Sequence, residues 1–150
     1  MKHFRLSLSR FILLAALCLA GKAPLLHADT PMERGWEHLE EAFKNLNEGL
    51  KDPKPSDKEK FKKQAGIIKE ASIKIRDLDP KMVKTLPKGE QEAFLKAFRT
   101  EMDDFNTKID ALVVALEASD WDKARGLMSE LGKRKIPAHK QFRTKGYKKG

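Results

Sequence analysis

The sequence predicts an all-α protein, an antiparallel up-down-up-down four-helix bundle. Apolar residues recur in steps of three and four along four separate stretches, the spacing that puts one apolar stripe on a helix. No stretch alternates apolar and polar residues with a period of two, so nothing reads as a strand. Links rich in Pro, Gly, Asp and Ser separate the stripes, and helices joined by short links pack as neighbours around a shared core. At 150 residues, 40% hydrophobic and 35% charged, the chain suits one domain with one core.

Residues 1–28 are expected to lie outside that domain. A basic start (Lys2, Arg5, Arg10), an apolar run from Phe11 to Ala20 and a polar end closing on Ala28 read as a secretory signal cleaved after Ala28. The apolar run is far shorter than the ~20 residues of a membrane span. The expected location is therefore the periplasm, with no stable span left after cleavage. Cys18, the only cysteine, falls in this segment, so the exported chain has no disulfide, thiolate metal site or C-x-x-C-H haem attachment.

The first stripe is Met32, Trp36, Leu39, Phe43, Leu46 and Leu50, and it stops at "KDPKPSD". Ser56 with Glu59 has the spacing of a capping box. Behind it run Phe61, Ala65, Ile68, Ser72, Ile75 and Leu78, ended by Pro80. "DPKMVKTLPKGE" reads as a longer connection. The third stripe is Phe94, Phe98, Met102, Phe105, Ile109, Leu112 and Leu116. A tight turn at "EASDW", with Ser119 as the expected cap, leads to Trp121, Ala124, Met128 and Leu131. The bundle is expected to span 29–143, followed by a basic tail at 144–150.

Charge is uneven. Of 31 Lys and Arg, four lie in residues 1–28, leaving 27 against 22 Asp and Glu. Beyond Glu130 there is no acid and there are eight bases, Lys133, Arg134, Lys135, Lys140, Arg143, Lys145, Lys148 and Lys149. Such an end is ordinarily a solvated tail, and otherwise a docking surface for an acidic protein or anionic lipid. Nucleic acid is not an expected partner of an exported chain.

Within this basic end stands "IPAHKQFR". At 100° per residue His139 falls in line with Trp121 and within about 20° of Met128, so it shares the apolar face. In the expected topology the end of the fourth helix lies beside the start of the first, and His139 faces Met32, Trp36 and Leu39. Pro137 removes a backbone bond two residues earlier and is expected to kink the last turns. Lys135 sits on the apolar face, where its stem must snorkel. His38 points to solvent. Glu40, Glu41, Glu48, Asp103 and Asp104 lie off the stripes, and no Glu-x-x-His pair, nucleophile triad, glycine loop or zinc spacing occurs. The chain is not expected to be an enzyme.

Two stretches carry a family resemblance. "KIDALVVALEASDWDKARGLMSELGKRKIPAHKQFR" (108–143) and "WEHLEEAFKNL" (36–46) resemble the third-to-fourth-helix region and the first helix of the cytochrome b562 family, soluble periplasmic up-down-up-down bundles. The resemblance covers most of 30–143 and is strongest at the C-terminal end. It implies non-covalent haem b, one-electron transfer with a redox partner protein, and His139 as axial ligand to the haem iron. It places Trp36 where the family carries its methionine ligand, and an indole N–H only donates. Met32, one turn earlier, is then the candidate for a second axial ligand, and Met102 on the third stripe is another. Phe98 is placed to wall the cofactor and Arg143 to pair a propionate. Phe94 and Phe105 share the stripe of Phe98, although aromatics at helical spacing are by default plain core.

A second reading keeps the scaffold without haem. Trp36 then fills the space of the cofactor, and the basic C-terminus docks acidic partners or anionic lipid.

Overall fold

The computed structural model describes residues 30–142. It holds four helices, α1 (Pro31–Gly49), α2 (Lys58–Arg76), α3 (Lys88–Glu117) and α4 (Trp121–Phe142), with short 3-10 turns at Pro55–Asp57 and Lys81–Thr85. Among the described residues there is no strand, and no helix is long and apolar enough to cross a membrane. The segment expected to be a signal (1–28), Arg143 and the tail at 144–150 lie outside the described residues.

Each helix end has a local cause. Thr30 opens α1 with a capping box: its hydroxyl accepts from the Glu33 amide at 3.3 Å, and the Glu33 carboxylate accepts from the Thr30 amide at 2.8 Å. Pro31 supplies the first turn, where a missing N–H costs nothing. The capping box expected at Ser56 and Glu59 does not form. Pro55 draws Ser56 into a 3-10 turn, the Lys54 amide donates to Asp57 at 3.0 Å, and α2 starts with no side-chain cap.

The cap expected at Ser119 also moves. Ser119 has a positive φ of 55°, its amide donates to the Leu116 carbonyl at 3.1 Å, and the Asp120 amide donates to Ala115 at 2.9 Å. This is a Schellman closure of α3 with Ser119 in the left-handed position. Asp120, one residue on, caps α4 by accepting from the Lys123 amide at 3.0 Å.

The stripes meet in one four-helix core. Leu46, Phe61, Ile68, Ile75, Ile109, Leu112, Leu116 and Met128 are among its most enclosed side chains. The polar member Ser72 is fully buried, its hydroxyl shared between the Lys69 carbonyl at 2.8 Å and the Asn106 side chain, so no polar group is stranded. Consecutive helices are the main packing partners. Outside the core, Lys69–Asp110, Arg76–Asp103 and Lys108–Glu130 pair α2 with α3 and α3 with α4; exposed pairs of this kind add little each.

Two positions set the tightness of the frame. A Cβ on Gly49 would lie 2.4 Å from Cε1 of Phe61, whose ring is 1% exposed and unable to retreat. Ser119, by contrast, is exposed and strained. Gly49→Ala is expected to lower the unfolding free energy by about 1–3 kcal/mol through overpacking. Ser119→Gly is expected to raise it by about 0.5–1 kcal/mol, the relief of a left-handed side chain exceeding glycine's extra freedom when unfolded. Urea midpoints that move in the same direction for both would contradict this account.

Candidate cofactor cleft between the first and last helices

Two adjoining cavities of about 530 and 690 Å³ open along the seam between α1 and α4, with Trp36, Met102, Ala138 and His139 in the walls of both. The larger, outer cavity adds Met32, Phe98 and Phe142. The inner one runs on past Leu39, Phe43, Phe105, Leu131 and Gly132. Of the six residues singled out from sequence, His139, Met32, Trp36, Met102 and Phe98 line the outer cavity. Arg143 lies outside the described residues.

His139 reaches the cleft because α4 continues through Pro137 to Phe142. Proline removes the bond to the carbonyl one turn back, here that of Lys133. Both Lys133 and Pro137 are exposed, so the break falls on the solvent side of α4, and the helix runs on to Phe142. His139 is half-buried, and its ring lies 6.5 Å from that of Trp36, centroid to centroid, with planes at 88°. Phe142 makes edge contacts at 5.5 Å with both Phe94 and Phe98, joining the last turn of α4 to α3. His38 is exposed, as its phase predicts.

The rim is charged and partly paired. Lys135 extends to Glu40 of α1 at 3.0 Å, with its side chain 54% exposed, which resolves its place on the apolar face. Arg134 forks onto Glu101 at 2.9 and 2.8 Å, the two-bond geometry that fixes a guanidinium in one orientation. Lys81, in the 3-10 turn between α2 and α3, donates to Glu33 at 2.7 Å and ties that turn to the start of α1. Pro80, Lys81 and Met82 thereby form an outer wall. Sequence periodicity could not find this wall, because a 3-10 turn of five residues carries no stripe.

The donor set decides what fits. A largely apolar cavity with one imidazole in its wall suits a planar apolar group held through a single nitrogen donor. Ligation by Trp36 from the facing wall is excluded by indole chemistry. Met32, Met82 and Met102 are the thioethers of the outer cavity. Among the described residues no three His, Cys, Asp or Glu are grouped to hold a bare metal ion.

The Lys81 ammonium, with help from the Thr30 amide and hydroxyl, holds the Glu33 carboxyl well below its usual value of 4.5, at about 2. The folded state therefore takes up this proton later than the unfolded chain as pH falls. The stabilisation is complete above pH 4.5 and is lost towards pH 2. Glu33→Gln is expected to lower the urea midpoint modestly at neutral pH, the site being solvent-screened, and to flatten the acid dependence across that window. Parallel acid profiles for the two proteins would refute the assignment.

No family model, curated protein or solved structure matches this chain.

Proposed function

We propose that the chain is an exported, periplasmic haem-binding protein of the cytochrome b562 kind. In this reading the four helices run up-down-up-down in antiparallel order, and His139 holds a b-type haem in the cleft between α1 and α4. The observation that carries the reading is the convergence of His139, Trp36, Met32, Phe98 and Met102, drawn from α1, α3 and α4, on one cavity of about 690 Å³. The topology is supported at both ends of the seam: Arg125 of α4 donates to the Leu50 carbonyl at the end of α1, and His139 meets Trp36 near its start.

A haem bound there supplies one-electron redox chemistry, exchanged with a partner protein. The residues of the chain do the rest. His139 would hold the group through a ring nitrogen, Phe98 and Met102 would keep water from the cleft, and Arg143, outside the described residues, is the sequence's candidate to pair a propionate.

One observation favours a second reading. Trp36 already stands in the cleft against His139, as it would in a haem-free bundle that binds acidic proteins or anionic lipid through its basic C-terminus. Titration of the purified chain with hemin separates the two. The haem reading expects a saturable Soret band, with affinity at least about tenfold weaker in His139→Ala, one ligand bond being lost. No saturable band, or one indifferent to that substitution, leaves the haem-free reading.

A further inference from the structure

Side chains bridge the seam between α1 and α4 at three levels. Arg125 donates to the Leu50 carbonyl at 3.1 Å, Lys135 meets Glu40 at 3.0 Å, and Trp36 meets His139 edge-on. The last two pairs stand in the wall of the inner cavity of about 530 Å³. That cavity runs from Trp36 to Lys44 along α1 and from Leu131 to His139 along α4, each a stretch about 12 Å long at the rise of a helix. Its deepest wall is Leu39, Met102 and Leu131, all buried. The half-buried rings of Phe43 and Phe105 stand beside them.

Gly132 leaves one end of this space unfilled. Glycine is unfavourable inside a helix. A Cβ built here would lie 3.9 Å from Cζ of Phe43 and meet no other atom of a facing helix within 4 Å. The half-buried charges of the wall are engaged. Arg134 forks onto Glu101, and Glu40 takes Lys135. Glu37, Glu41 and Lys44 are exposed to solvent.

We infer that the inner cavity is a binding site for a small uncharged molecule with an aromatic body, no longer than about 12 Å. Its volume is that of a small-molecule pocket, about 300–1,000 Å³. An ionised group carried to Leu39, Met102 and Leu131 would lose its water and find no unpaired charge among them. A helix or a second copy of the chain laid along the seam would have to break the Lys135–Glu40 pair to reach that wall. A short molecule lies within the stretch the pair spans. The inference does not rest on the haem reading, which uses the outer cavity.

The test uses two fluorescent probes with the same rings, N-phenylnaphthylamine, which is uncharged, and the matching anilinonaphthalene sulfonate, which carries one negative charge. Each is titrated into the full chain without hemin, at high salt to screen the basic end. Saturable binding of the uncharged probe is expected, with the sulfonate at least about tenfold weaker. Gly132→Leu, which fills the unfilled end, is expected to weaken the uncharged probe at least about tenfold, whereas Gly132→Ala keeps its binding. Ala138→Leu, which narrows the cavity from the next turns of α4, decides the matter should the Gly132→Leu chain fail to fold. The inference is overturned by an uncharged probe that does not saturate, by a sulfonate that binds as tightly, or by binding indifferent to both leucine substitutions. None of these results bears on hemin binding through His139.

Discussion

The bundle is organised around the notch at Gly49. The absence of a side chain there lets the Phe61 ring lie where a Cβ would be 2.4 Å from its edge, which brings the end of α1 against the start of α2. Trp121, the first residue of α4, meets that same ring edge-on at 5.8 Å. Arg125, one turn later, donates to the Leu50 carbonyl at 3.1 Å. Three helix ends are thus fastened about one aromatic ring, and this end of the seam between α1 and α4 is closed. At the opposite end the same two helices are joined by the Lys135–Glu40 pair and by the loose contact of Trp36 with His139. The cleft lies at that end, where Phe94, Phe98 and Phe142 pack against one another and Trp36 meets His139 edge-on without closing the seam.

Three charge pairs stand around the cleft, Lys135 with Glu40, Arg134 with Glu101, and Lys81 with Glu33, and Glu37, Glu41, Lys44 and Lys84 also stand in its walls. The cavity walls thus combine apolar and aromatic groups and one imidazole with both paired and solvent-facing charges. Recognition inside such a space comes from shape, apolar contact and the single nitrogen donor. Removing a rim charge mainly disturbs its partner, which is left to be resolvated.

The stripes were legible in the sequence because burial repeats at the helical period: Leu46, Ile68, Leu112 and Met128 all lie in the core as their spacing requires. The phase of His139 was legible for the same reason, since α4 passes through Pro137 without losing register. Helix ends were harder. Ser119 and Asp120 are both good caps, and the choice between them is made by where α3 stops, a property of the Schellman turn and not of either residue. Ser56 was displaced by the proline before it. The box formed by Thr30 and Glu33 is written in "TPME", just ahead of the apolar pattern that begins at Met32. The wall of Pro80, Lys81 and Met82 had no local signal. The turn that carries it is anchored by Val83, 7% exposed, and by Lys81 reaching Glu33, both tertiary contacts.

Pro137 has a consequence for how the cleft is entered. The hydrogen-bond ladder of α4 is interrupted between Lys133 and Pro137, so the residues from Pro137 to Phe142 form a short unit whose opening does not require the preceding turns to unfold. His139 and Phe142 both ride on that unit, and Phe142 reaches the Phe94 and Phe98 rings of α3. Lifting that last stretch of α4 from the two aromatic rings would open the cleft locally, on the scale of fraying, without disturbing the end built around Phe61.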